Sequence, residues 1–211
     1  MADKQLLRRD YTFIFVREAA SWQNNHPNFL AWREAQTAII ELAKQCSKYD
    51  RSGIDIYFAT TPPQRKTEGS PADLAKVFQL KEPIAANDLL SSFRSARLPR
   101  RQMALDNHFA DIEPGKKETI VVFLDHLPEQ QTEIVQALVE ATKKIDGERE
   151  AYRLGVSFVL IGDNEEAKTF LNFLDDELGV AGAAHDIVDA KGWRAMKQSS
   201  IEKFLLDALL D

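Results

Sequence analysis

The chain alternates short apolar runs with long amphipathic ones. Residues 11–16 read Tyr-Thr-Phe-Ile-Phe-Val, an almost unbroken run of strand formers, and residues 53–59, 119–124 and 156–161 have the same character. Alternation with polar residues is weak in the last two. Strands buried on both faces look like this, which predicts parallel strands covered by helices. Asp186-Ile187-Val188 is a shorter candidate for a fifth strand.

The intervening stretches have helical periodicity. Residues 28–49 carry Phe29, Trp32, Ala35, Ile39, Leu42, Ala43 and Cys46 at helical spacing, and Pro27 suits a first turn, where a missing N–H is harmless. Residues 130–145 repeat the pattern with Ile134, Ala137, Leu138, Ala141 and Ile145. Asp163 and Glu166 have the spacing of a capping box ahead of Phe170, Leu171, Phe173, Leu174 and Leu178. A last helix over 200–210 presents Ile201, Phe204, Leu205 and Leu209. Strands alternating with helices of this length predict an α/β fold: a three-layer α/β/α sandwich around a Rossmann-like, mostly parallel sheet. Residues 60–71, with Pro62, Pro63, Gly69 and Pro71, read as a loop or a broken edge strand. Residues 98–117 read as polar and irregular. No internal repeat is visible, so the chain divides into an N-terminal tail, 1–9, and one domain, 10–211.

Composition sharpens this picture in a few respects. With 211 residues, 44% of them hydrophobic, the chain can bury a sizeable core. One cysteine, Cys46, excludes an internal disulfide and a cysteine-rich zinc site. No stretch approaches about 18 consecutive apolar residues, so no membrane helix is expected. The first ten residues lack the apolar run of a signal peptide, which makes the expected location cytoplasmic. Lys and Arg number 27 against 33 Asp and Glu, a formal net charge of −6, so nucleic acid is not an expected partner. Arg94, Arg97, Arg100 and Arg101 read as a solvated helix end broken by Pro99.

Ligands of open α/β sheets bind at the carboxyl ends of the strands, so those loops are where chemistry is sought. After the first strand stands Val16-Arg17-Glu18-Ala19-Ala20-Ser21-Trp22, without a glycine-rich phosphate loop. Neither GxGxxG nor GxxxxGK occurs anywhere. Asp125-His126 follows the third long strand and Gly162-Asp163-Asn164 the fourth. The chain has no HExxH pair and no GxSxG elbow, and His26, His108, His126 and His185 are scattered without ligand spacing. Catalytic residues are therefore not predicted. Trp22 has two readings: an aromatic anchor for a partner, or a ring packed beneath its own loop. Trp32 falls within an apolar helical stripe and reads as core.

Taken together, Arg9-Asp10-Tyr11-Thr12-Phe13-Ile14-Phe15-Val16, the Trp32 helix, Ile54-Asp55-Ile56-Tyr57-Phe58, Ala86-Asn87-Asp88-Leu89-Leu90, Ile120 through Asp125 and Val156 through Gly162 resemble a von Willebrand factor A domain of the bacterial single-domain type. The resemblance spans nearly the whole chain. It implies a protein-binding module with a metal-ion-dependent adhesion site at the carboxyl edge of the sheet. That site uses Asp-x-Ser-x-Ser, a Thr in a later loop and a further Asp, so that hard oxygen ligands hold Mg²⁺. Laid on this chain, the first Asp falls on Val16, the serines on Glu18 and Ala20, the Thr near Asn87, and the last Asp on Asp125. Only Asp125 agrees.

The resemblance thus implies a degenerate site and a non-enzymatic interaction module, a structural or adaptor component of a larger assembly. The implied partner is another A-domain protein or an AAA+ ATPase system. The partner-binding residues at the top of the sheet are Glu18, Trp22, Asn87, Asp88, Asp125 and His126. No cofactor is expected; the alternative is a rearranged Mg²⁺ site at Glu18 and Asp125 that captures an acidic residue. On the degenerate reading Asp125→Ala leaves folding largely intact, and the strand residues Phe13, Phe15, Val122 and Phe158 carry the stability.

Overall fold

The computed structural model describes residues 6, 9–50, 53–61, 63–78, 86–93, 105, 117–145 and 153–210. The four long apolar runs become strands β1 (Arg9–Val16), β2 (Ile54–Phe58), β4 (Lys117–Leu124) and β5 (Leu154–Leu160). To these are added β3 (Gln64–Gly69) and β6 (Val188–Gly192). They form one sheet in the order β3-β2-β1-β4-β5-β6, in which five strands run parallel and only β3 is antiparallel. The helices are α1 (Pro27–Tyr49), α2 (Pro71–Val77), α3 (Leu89–Phe93), α4 (Gln131–Lys143), α5 (Glu165–Asp176), α6 (Trp193–Gln198) and α7 (Ile201–Leu210). A 3₁₀ turn, Ala19–Trp22, follows β1.

The unalternating strands are buried on both faces, as their composition requires: every residue of β5 is buried, as is every residue of β4 after Lys117. Right-handed crossovers carry α1 to one face and α4 and α5 to the other; α1 packs against α2 and α6, and α3 against α4. This is the α/β/α sandwich with a Rossmann-like sheet that the periodicity predicts. No helix among the described residues is long and apolar enough to cross a membrane.

Several boundaries differ from the sequence reading. Of the two readings of the 60–71 stretch the edge strand is the one found: β3 pairs with β2 alone, with an irregular register near Ile54–Ile56, and a polar edge strand needs backbone pairing on one side only. Its end leads into α2, capped by a reciprocal Ser70–Asp73 box with Pro71 in the first turn. The cap of α5 is Asn164 rather than Asp163: the Asn164 side chain accepts from the Ala167 amide at 2.8 Å. His26 caps α1, its Nδ1 accepting from the Asn28 amide at 3.2 Å. The sheet begins at Arg9, which is fully buried, and Leu6 lies in the core. Arg94, Arg97, Arg100, Arg101 and all of 98–117 except Leu105 and Lys117 lie outside the described residues.

Register sets the geometry of the functional edge. Phe15 of β1 is opposite Phe58 of β2 and Phe123 of β4, and the three rings stack across the sheet with centroids 5.7 and 5.2 Å apart. Val16 is opposite Leu124, so Arg17 and Asp125 leave their strands side by side. Side chains alternate along a strand, so both residues continue the face already set by Phe15 and Phe123, the face that α1 covers.

Candidate functional site at the carboxyl edge of the sheet

Asp125 is completely buried. Its Oδ2 accepts from the Trp32 indole Nε1 at 2.8 Å, and its Oδ1 from the Glu18 amide at 3.1 Å. The same Oδ1 lies 2.7 Å from His126 Nδ1. An ionised carboxylate only accepts, so the proton of that pair sits on Nδ1. The Asp125 main-chain carbonyl accepts from the Asn28 side-chain amide at 3.0 Å. Burial by itself pushes the Asp125 carboxyl up, but hydrogen bonding from His126, Ser21, Trp32 and the Glu18 amide outweighs it. The group is held below its ordinary range.

Arg17 acts on Asp125 through its charge, its guanidinium donors being directed to Ser21. Arg17 is 8% exposed, donates through Nε to Ser21 Oγ at 3.1 Å and through Nη2 to the Ser21 carbonyl at 2.8 Å. Its guanidinium carbon lies 3.8 Å from the Trp22 ring centre and 4.9 Å from that of Trp32, a stacked cation–π arrangement. Burial lowers its pKa to about 10 while the Asp125 charge pulls it back up, so the guanidinium stays charged at neutral pH. Its backbone also pairs with Ala86 in both directions, which ties the loop before α3 to the sheet edge.

The remaining predicted residues are placed as follows. The Glu18 side chain is exposed, and it is the Glu18 amide that reaches Asp125. Asp88 is engaged locally: its carboxylate accepts from Thr61 Oγ1 at 3.0 Å and from the Ser91 amide and hydroxyl at 3.0 and 2.6 Å, as a cap for α3. Asn87 is exposed beside it. The structure therefore brings Glu18, Asp125 and His126 together and keeps Asp88 with α3. The His126 side chain is only 16% exposed and is bonded to Asp125. Trp22 is half-buried, and its ring is stacked on Arg17.

A divalent cation does not fit this edge. The residue beside Asp125 is Arg17 rather than Val16, which remains inside the strand opposite Leu124. Counted from there, Arg17-Glu18-Ala19-Ala20-Ser21 has the Asp-x-Ser-x-Ser spacing with a guanidinium where the first carboxylate would stand. Both Asp125 oxygens already accept from protein donors, and a charged guanidinium shares the site. Among the described residues no three His, Cys, Asp or Glu side chains are grouped to hold a metal. Sequence reasoning had passed over Arg17 and Ser21. The signal was present in the period of two: Phe15 and Arg17 match Phe123 and Asp125.

No family model matches the chain, and no curated protein does. Among solved structures, the manganese-loaded TRAP protein of Plasmodium vivax matches with a TM-score of 0.52 and 9% identity, over 94% of this chain and 74% of that one. Proximal thread matrix protein 1 of the mussel byssus matches at 0.48 and 11%, over 96% of this chain and 47% of that one. The pilus adhesin SpaC of Lactobacillus rhamnosus GG matches at 0.45 and 8%, over 95% and 31%. The chain thus spans less than half the length of the mussel and Lactobacillus proteins. The fold is von Willebrand factor A-like.

Proposed function

We propose that this chain is a non-enzymatic protein-interaction module whose binding edge works without a divalent cation. The carrying observation is that both oxygens of the buried Asp125 carboxylate are taken by Trp32, the Glu18 amide and His126, while the charged Arg17 guanidinium acts on it electrostatically. The adhesion-type fold supports a binding role, and the strand-end loops offer no phosphate cradle or nucleophile for chemistry. In this reading the edge formed by Glu18, Trp22, Asn87, Asp88 and His126 is a fixed surface around the Asp125 network. The module is a structural or adaptor component of a bacterial cytoplasmic assembly, with an A-domain protein or an AAA+ ATPase system as the partner class.

The test is co-purification of cross-linked partners from the native host with the tagged chain, in excess EDTA and in millimolar Mg²⁺. The reading expects the same partner at the same recovery in both. Loss of the partner in EDTA, with recovery on adding Mg²⁺, would instead support capture of an acidic residue through a rearranged Glu18–Asp125 metal site.

A further inference from the structure

The α1 face beside the Trp22 loop is not closed. Phe29, Trp32, Arg33 and Gln36 recur at helical spacing along α1 and, with Arg17, Trp22 and Phe78, line a cleft of about 360 Å³. That is the size of a small-molecule site, and its make-up is of the same kind: aromatic walls with a few polar groups. Trp32 and Phe78 both pack on Phe15, centroids 6.4 and 5.8 Å away, and Phe15 is fixed between Phe58 and Phe123. The void beneath the cleft is only about 10 Å³, so the aromatic floor is shut.

The polar groups of the cleft are almost all donors. Both charged side chains lining it are arginines, although the chain as a whole has a net charge of −6. Arg17 directs Nε and Nη2 to Ser21. Arg33 is exposed and forms no ion pair among the described residues. The Trp22 indole Nε1 is buried without a hydrogen-bond partner among the described residues. A cation is repelled here, and a bare phosphate gains nothing from four aromatic side chains. A flat ring carrying a carboxylate uses both the aromatic surface and the arginines, since carboxylate–guanidinium bonds are the strong charge-assisted ones.

We propose that this cleft binds a small aromatic carboxylate, with Trp22, Phe29, Trp32 and Phe78 against the ring and Arg33 meeting the carboxylate. The inference does not rest on the partner-binding role proposed above, although Trp22 belongs to both surfaces.

Three tryptophans, Trp22, Trp32 and Trp193, make the test local. Their indole N–H resonances are followed by NMR while the full chain, in EDTA, is titrated with 3-phenylpropanoate, its amide 3-phenylpropanamide, and the capped dipeptide Ac-Asp-Phe-NH₂. The expected result is saturable movement of the Trp22 and Trp32 signals with Trp193 unmoved. The carboxylate should bind at least about tenfold more tightly than the amide, and that preference should disappear in Arg33→Gln, a surface change that leaves the fold intact. Equal binding of acid and amide, an undiminished preference in R33Q, or no saturable shift would overturn the proposal. Tighter binding of the dipeptide than of the free acid would overturn the small-molecule assignment and give the cleft to a protein segment.

Discussion

Trp32 donates its indole N–H to Asp125 across the α1–sheet interface, at 2.8 Å and out of contact with water. One bond thus joins the long helix to the strand end, and it gives an otherwise apolar core position a polar task. Trp32→Phe keeps an aromatic ring but removes the donor from a buried carboxylate. A loss of about 1–3 kcal/mol is expected, read by urea denaturation with an unchanged m-value.

Asp125 itself becomes a stability residue, which reverses the expectation drawn from sequence. Asp125→Ala leaves the Arg17 guanidinium buried without its opposite charge and strips acceptors from Trp32, His126 and the Glu18 amide. Leaving a buried donor without its acceptor typically costs about 1–3 kcal/mol, and denaturation of the variant, which strands several, should show a loss of at least that size. Stability equal to that of the parent would mean that the network is ornamental.

The same carboxylate sets an acid limit. Its pKa is held below the ordinary range in the folded state, so the unfolded chain binds more protons over that interval. The stabilisation is fully present above the unfolded-state pKa of about 4 and is lost as pH falls through the lower folded-state value. Melting temperatures measured from neutral pH down to about pH 3 should therefore fall more steeply for the parent than for Asp125→Asn, which has no such proton to take up.

Much of the fold is legible in the sequence because it rests on local pattern. β1, β2, β4 and β5 are runs that only a doubly covered sheet would accept, and α1 and α4 show their buried stripes directly. β3 is only half legible: Gln64–Gly69 has no apolar signature, so the sequence leaves loop and broken edge strand open, and pairing with β2 decides for the strand. At the site, Asp125 is visible as the end of an apolar run. The partners that define it are not: Trp32 reads as core because its ring is core, and only the register between β1 and β4 brings Arg17 alongside. Ser21 and the Glu18 amide enter through the 3₁₀ turn, a tertiary choice with no residue pattern of its own.

Gly162 adds a backbone test. Its φ is +93°, and a Cβ there would run into the side-chain amide of Asn28, the group that holds the Asp125 carbonyl. Gly162→Ala should cost about 1–3 kcal/mol through strain and loss of that bond, visible as a lowered denaturation midpoint.

The strand core supplies a reference scale. Phe13, Phe15, Val122 and Phe158 are all 3% exposed or less, and truncation of the phenylalanines to Ala should cost about 3–5 kcal/mol. Val122→Ala removes less volume and should cost less. Urea midpoints for the four variants check the order.

The central claim is that protein donors, with the Arg17 charge acting alongside, satisfy Asp125 in place of a metal. The most direct measurement is calorimetric titration of the chelator-treated chain with Mg²⁺, Mn²⁺ and Ca²⁺, with Asp125→Ala alongside. No saturable heat up to millimolar metal, for either protein, is the predicted result. Saturable binding by the parent that disappears in Asp125→Ala would contradict the account and show that the edge is still a metal site.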